Sequence, residues 1–343
     1  MESMFNFKQL SSALAFALII FAALAQKSNG QYASTVVQFN QGSGSGVFTP
    51  ANILGAPTGG GISNGSLDVL TLGAGGDVTV GFNTVIVNGP GVDFTVFENG
   101  FEFPANFVFT ELAYVEVSTD GFNFVRFPSI YQGPQGPFGG FTTFAYGSSI
   151  NLVGGLPVMA NPLTNTIDPL DPVYSGGDSF DLDDIRSHPD VVGGLVDIDN
   201  INFVRVVDIE GGVDMDSNGN LIWDSASSAD IDAIAAINTI ANTSPSGPDC
   251  GFVVDSLGFL VLSFSDPDGV MDLDGLSFRA SLNLQDFSST QLNMIYDVVS
   301  IDATRIVFRT KFPVAGFGLN IVAAVGISDN AGNRCFDQFV IPQ

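Results

Sequence analysis

The chain has one histidine, one tryptophan, two cysteines and ten lysines and arginines in 343 residues. Each shortage excludes something. Nucleophilic catalysis through a Ser–His or Cys–His pair needs a histidine. The single one, His188, stands before Pro189 in RSHPDV, where a loop role is the expectation. Zinc needs His/Cys clusters, and the sequence has none. Ten basic residues against 36 acids leave a net charge of −26. That balance argues against nucleic acid and against anionic membrane surfaces, both of which call for basic patches. Glycine runs of the GxGxxG type precede strands rather than a helix, so no phosphate-binding loop is read from them. After the N-terminal segment no run is apolar enough for the roughly 20 residues of a membrane span.

Glutamate is scarce too. There are six, against 30 aspartates. Glutamate favours helices, whereas aspartate favours turns, caps and calcium loops. With 40 glycines, 31 phenylalanines and 45% hydrophobic residues, the chain is no disordered acidic tail. The composition predicts an all-β protein with aspartate-lined loops.

The N-terminus reads as a secretory signal over residues 1–25. Lys8 supplies the positive end, Ala13–Leu24 the apolar run, and Ala23-Leu24-Ala25 the small-residue cleavage site. The mature chain is then expected to begin at Gln26. The competing reading is an uncleaved anchor. The C-terminal FDQFVIPQ carries no sorting tail or lipid signal. Cys250 and Cys335 are expected to form one disulfide in an exported chain, the alternative being two buried thiols.

Period-two alternation marks strands from Asp77 onward: DVTVGF, NTVIVN, VDFTVF, a hairpin LAYVEVS/FNFVRFP turning at Thr119-Asp120-Gly121, and NINFVRVVDI. Residues 131–180 are rich in Gly, Pro and Asn, and are expected to cover a face or form a binding rim. ADIDAIAAINTI is ambiguous, since Ile231, Ile234, Ile237 and Ile240 are spaced by three. NTSPSGPDC (242–250) reads as a linker. The last ~100 residues, in short strands, suggest an immunoglobulin-like sandwich. The division expected is a large domain over 26–243 and a smaller one over 244–343.

LGAP (54–57), LDVLTLGAGGDVTVGF (67–82), NGPGVDFTVFENGF (88–101), ELAYVEVSTDGFNF (111–124), GGDSFDLDDI (176–185), NFVRVVDI (202–209) and GNLIWD…DIDAIAAIN (219–238) resemble a family of secreted bacterial surface proteins. Its domain is a galactose-binding-like jelly roll, and some members carry a PEP-CTERM-type sorting tail that is missing here. The resemblance covers about residues 50–240. It implies a jelly-roll β-sandwich and export, with little about activity. SDPDGVMDLDG (265–275) and ISDNAGNRCF (327–336) resemble bacterial Ig-like or cadherin-like domains.

DMDSNGNLIWD (214–224) carries Asp214, Asp216 and Asn218 at alternate positions before Gly219, the first half of an EF-hand loop. Against that reading, a strand precedes it and position twelve is Ser225. The resembling family has a hairpin tip here. By analogy with jelly-roll carbohydrate-binding domains, a structural calcium would use Asp230 or Asp232. Asp178, Asp181, Asp183 and Asp184 in GGDSFDLDD are further oxygen donors for a hard cation. The alternative is that these aspartates only cap turns and solvate the surface.

For a ligand surface, Trp223 with Tyr131, Tyr146 and Tyr174 is the candidate contact set, and an extracellular glycan or surface protein the expected partner. A carboxylate pair of glycosidase type is the remaining catalytic route, with Glu98 at a strand end its candidate. The expectation is a secreted, non-catalytic, calcium-stabilised binding or adhesion protein. A matrix component without a small ligand and a carbohydrate-active hydrolase are the alternatives.

Overall fold

The computed structural model describes residues 31–44, 48–138, 141–224, 228–240, 249–265, 278–286, 295–301, 305–314, 320–328 and 334–341. The expected signal segment, most of the 242–250 linker, SDPDGVMDLDG beyond Ser265 and the NAGN turn lie outside them.

The protein is all-β, built as two antiparallel sandwiches. The first contains β1 (Ala33–Asn40), β2 (Leu70–Thr71), β3 (Asp77–Ile86), β4 (Phe94–Glu98), β5 (Phe101–Glu102), β6 (Phe107–Phe109) and β7 (Ala113–Ser118). It continues with β8 (Val125–Arg126), β9 (Ile130–Tyr131), β10 (Thr143–Ala145), β11 (Ser149–Ile150), β12 (Asp178–Phe180), β13 (Ile201–Asp208) and β14 (Asp230–Ala236). One sheet has the order β1-β3-β13-β7-β8 and the facing one β12-β4-β14-β2. Small sheets β10-β6-β5 and β11-β9 flank them.

Alternation explains the layers. Ile201, Val204 and Val206 of β13 point inward with Val78 and Val80 of β3 and Val115 and Val117 of β7. They meet Phe94 and Val96 of β4 from the other sheet. Phe94, Phe127 and Phe180 form an aromatic trio with centroids 5.0–5.8 Å apart. Truncating such a ring to alanine typically costs about 3–5 kcal/mol. β4 is buried on both faces, since Phe97 packs into a second cluster with Ala233 and Ala235.

β14 resolves the ambiguous segment. It is a strand with a register shift between Ile231 and Ala233. A bulge adds one residue to one side of the pair. That puts Ile231 and Ile234 in the same core despite their spacing of three. Two other boundaries move. DVTVGF and NTVI form one continuous strand, β3. FNFVRFP shortens to Val125–Arg126, with Phe122 exposed.

The second sandwich contains β15 (Asp249–Val254), β16 (Leu260–Ser265), β17 (Arg279–Leu282), β18 (Gln285–Asp286), β19 (Tyr296–Ile301), β20 (Arg305–Thr310), β21 (Ile321–Ser328) and β22 (Arg334–Ile341). Its sheets are β15-β16-β20-β19 and β18-β17-β21-β22. The Cys250–Cys335 disulfide joins β15 to β22 across the two sheets, with Cα atoms 6.0 Å apart and a sequence separation of 85. By chain entropy such a closure is worth about 4 kcal/mol.

The sandwiches are docked. Val92 N–H donates to the Phe336 carbonyl at 2.9 Å. Ser179 N–H donates to Gln338 Oε1 at 2.8 Å, and Asn320 Nδ2 to the Gly147 carbonyl at 2.9 Å. Val92, Val173, Ile237, Ala324 and Phe336 bury one another in the seam. No helix among the described residues is long and apolar enough to cross a membrane.

Candidate functional site

DMDSNGNLIWD folds as a hairpin. Met215 and Leu221 bridge, and Gly219 takes a positive φ of 81° at the tip. Asp216 organises the turn from within. Its Oδ1 accepts from the backbone N–H of Asn218 and Asn220, at 2.9 and 2.8 Å. Its Oδ2 accepts from Tyr131 N–H and Asn220 Nδ2, both at 3.0 Å. The alternate aspartates thus read as turn chemistry. Asp214 Oδ2 accepts from Glu210 N–H at 2.8 Å, which closes the loop leading into the hairpin.

The hairpin's last residues form one wall of a groove of about 250 Å³. Trp223 and Phe138 stand edge to face there, with centroids 6.2 Å apart. Trp223 Nε1 donates to Gln135 Oε1 at 3.1 Å, which fixes the ring. Gly136 and Gly212 let the backbone reach the indole: a Cβ on either would fall 2.2 and 2.7 Å from ring carbons. Asp208, Glu210 and Asp224 supply the polar lining. Asp208, at the end of β13, is buried, and its oxygens accept from Ala229 N–H at 2.8 Å and Gly75 N–H at 3.0 Å. Burial drives its pKa up to about 7, against those hydrogen bonds. A flat ring beside carboxylate acceptors is an arrangement suited to a polyhydroxylated ligand: apolar sugar faces pack on the ring, and hydroxyls donate to the oxygens.

The predicted tyrosines lie elsewhere. Tyr131 is 5% exposed and packs beneath the groove wall with Ile222, its hydroxyl donating to the Pro134 carbonyl at 2.7 Å. Tyr146 is 1% exposed, and donates to Glu102 Oε2 at 2.9 Å. It belongs to a cluster with Val322 of the second sandwich. Tyr174 donates to Asp286 across the seam at 3.1 Å. Of the four aromatics, only Trp223 lines the groove. Phe138, Asp208, Glu210 and Asp224 are the members that sequence reasoning missed. Asp208 closes the alternating strand NFVRVVD with a buried carboxylate, and that is the signal that could have found it.

The nine oxygen donors expected to hold calcium lie at separate places, and Asp184 Oδ2, for one, accepts from Asn151 Nδ2 at 2.9 Å. Asp178 Oδ2 accepts from Gly154 and Gly155 N–H, at 2.8 and 2.9 Å. Asp181 caps the short helix Leu182–Ile185, and Asp183 pairs with Arg186. Asp230 accepts from the Thr71 hydroxyl, and both oxygens of Asp232 accept from Thr58 N–H, at 3.0 and 3.1 Å. Asp214, Asp216 and Asn218 belong to the hairpin just described. Among the described residues no group of three or more His, Cys, Asp or Glu is arranged to hold a metal ion. Most of these oxygens instead accept from backbone amides at separate loop crossings. The burial of these anchors pushes Asp178 and Asp232 up to about 7. His188 is the N-cap of the short helix Pro189–Val192, its Nδ1 accepting from Asp190 N–H at 3.2 Å. Glu98, the catalytic candidate, ends β4 as expected but is only 1% exposed.

No protein-family model matches the chain, and no curated protein matches it.

Proposed function

We propose that this is an exported, non-catalytic binding protein whose first sandwich takes a glycan in the groove of Trp223. The observation that carries this reading is the indole, hydrogen-bonded to Gln135 and edge to face with Phe138, in a groove that Asp208, Glu210 and Asp224 also line. Rigid aromatic platforms bind with little ordering cost, and hydroxyl donors match carboxylate acceptors. Export is supported by the N-terminal apolar segment, the Cys250–Cys335 disulfide and the high acidity. The burial of Glu98 weighs against a hydrolase there, since substrate would have no direct access to it.

The test is a glycan array probed with the mature chain, residues 26–343, followed by calorimetry on any hit. Binding is expected to be lost in Trp223→Ala and retained in Tyr146→Phe. An array with no hit, or a hit that Trp223→Ala leaves unchanged, sinks the reading. A surface protein presenting lysine or arginine is the second occupant to try, because three carboxylates line the groove. Salt-sensitive binding would mark it.

A further inference from the structure

A cavity of about 590 Å³ lies where β1 begins, and it shares no lining residue with the groove of Trp223. Tyr32, Leu54, Ala56, Pro162 and Pro169 are among its walls. Leu54 and Ala56 belong to LGAP, and the two prolines to the stretch 131–180 expected to cover a face or form a binding rim. The walls are fixed by hydrogen bonds. Gly55 N–H donates to the Ala33 carbonyl at 3.0 Å. Gly55 takes a positive φ of 97°, and a Cβ on it would meet nothing within 4 Å. The loop that carries the prolines is pinned by its own side chains. Asn161 Nδ2 donates to the Gly59 carbonyl and Asn165 Nδ2 to the Met159 carbonyl, both at 3.0 Å. Asp168 Oδ1 accepts from Leu170 N–H at 3.0 Å. Such turns set the shape of the loop before anything binds.

Two properties define what fits. The first is the absence of charge. No lining residue is charged, so an ion entering here would lose water without gaining a partner. The second is a donor left over. Tyr32 is 8% exposed, and its ring packs with Phe97, Val158 and Ala233. Its hydroxyl makes no hydrogen bond to any described residue. Burial, then the Asp168 carboxylate, pushes its pKa up to about 12, so the phenol keeps its proton and stays a donor. A buried tyrosine hydroxyl ordinarily finds an acceptor.

We propose that this cavity binds a small uncharged molecule with an apolar body and a carbonyl oxygen that accepts from the Tyr32 hydroxyl. The volume is in the range of small-molecule sites, about 300–1,000 Å³. Leu54, Ala56 and the prolines take the apolar body out of water. A carbonyl oxygen complements a lone donor without bringing an unmet donor of its own. A saccharide is the poorer fit, because its many hydroxyls outnumber the polar side chains of the lining, Tyr32, Ser34 and Asn83. The site is separate from the groove, so it stands or falls apart from the glycan reading.

The experiment titrates the mature chain with two neutral fluorescent probes. Nile red has a carbonyl oxygen, and N-phenyl-1-naphthylamine has none. Each is expected to gain fluorescence saturably, at about one probe per chain. Tyr32→Phe removes only the hydroxyl. It should weaken Nile red about three- to tenfold, the range of one neutral hydrogen bond, and leave the naphthylamine within about twofold. Asn83 is an exposed member of the lining, and Asn83→Trp should lower the uptake of both probes by blocking the mouth without touching the core. It decides the matter if Tyr32→Phe does not fold. No saturable uptake by the unmodified chain overturns the proposal. So does Nile red affinity that Tyr32→Phe leaves unchanged, the result expected where water alone satisfies the hydroxyl. Uptake that Asn83→Trp leaves unchanged overturns it too, and would place the probes on exposed rings such as Phe103 and Phe141.

Discussion

Asp216 and Glu98 are both buried carboxylates of the first sandwich, and their surroundings are opposite. Asp216 sits in a turn that aims four donors at its two oxygens. Burial raises its pKa, but the hydrogen bonds from Tyr131, Asn220 and Asn218 outweigh that and hold it below the usual value. Glu98 ends a strand whose main-chain donors are committed to the sheet, and its Oε2 gets none. Burial alone does not decide the charge of a carboxylate; the count of N–H groups aimed at it does.

The largest expected effect tests that contrast directly. Asp216→Ala leaves the backbone amides of Tyr131, Asn218 and Asn220 without their acceptor, and should destabilise the protein by about 3–5 kcal/mol. Urea unfolding at pH 7 measures it. A cost below about 1 kcal/mol would mean that water replaces the carboxylate and the turn is not built around it.

The second prediction follows from the direction of the shifts. Asp208 and Asp232 are buried and raised to about 7. A carboxyl whose folded pKa is raised contributes stability that is fully present below its unfolded pKa, near 3.9. That stability is lost as pH rises through about 7. In EDTA, Tm is therefore expected to fall between pH 5 and pH 8, with about 1–3 kcal/mol lost. Asp216, shifted the other way, contributes above its unfolded pKa and loses that only in stronger acid. A Tm that climbs from pH 5 to pH 8 in EDTA would break the assignment of the buried acids.

How much of this was legible in the sequence depends on range. Period-two runs marked most of the long strands, and the two cysteines the disulfide, because both signals are local or nearly unique. The bulge in β14 was not legible, since a spacing of three fits a helix equally well. DMDSNGN showed its turn but not its tertiary role. Tyr131, whose amide binds Asp216, lies 85 residues away. The groove and the surroundings of Glu98 were hidden for the same reason. Their members come from segments up to about 150 residues apart, and nothing local marks a glutamate oxygen as unpaired.

The third prediction sharpens the contrast from the Glu98 side. At pH 8, Glu98→Gln replaces a buried carboxyl whose Oε2 has no partner while nearly keeping the shape. It should therefore be neutral, or stabilising by about 1 kcal/mol. A loss of more than about 1 kcal/mol in Glu98→Gln would mean that the carboxyl makes a stabilising contact that the amide cannot replace.

The smallest effect on stability, and the most specific, is expected at the groove. Trp223→Phe keeps a ring between Phe138 and Gly212 but loses the hydrogen bond to Gln135 and half of the stacking surface. Trp223 is only half-buried at a hairpin end, so the cost to folding should stay under about 1 kcal/mol. Affinity for a glycan should nonetheless fall by about tenfold, since each 1.4 kcal/mol of lost stacking is that factor. Asp216→Ala is expected to do the reverse on both axes. It weakens the fold strongly, and it affects binding only through the hairpin that carries Trp223. A Trp223→Phe protein that loses stability as severely as Asp216→Ala would mean that the indole is a structural wedge, and the groove beside it only a by-product of its packing.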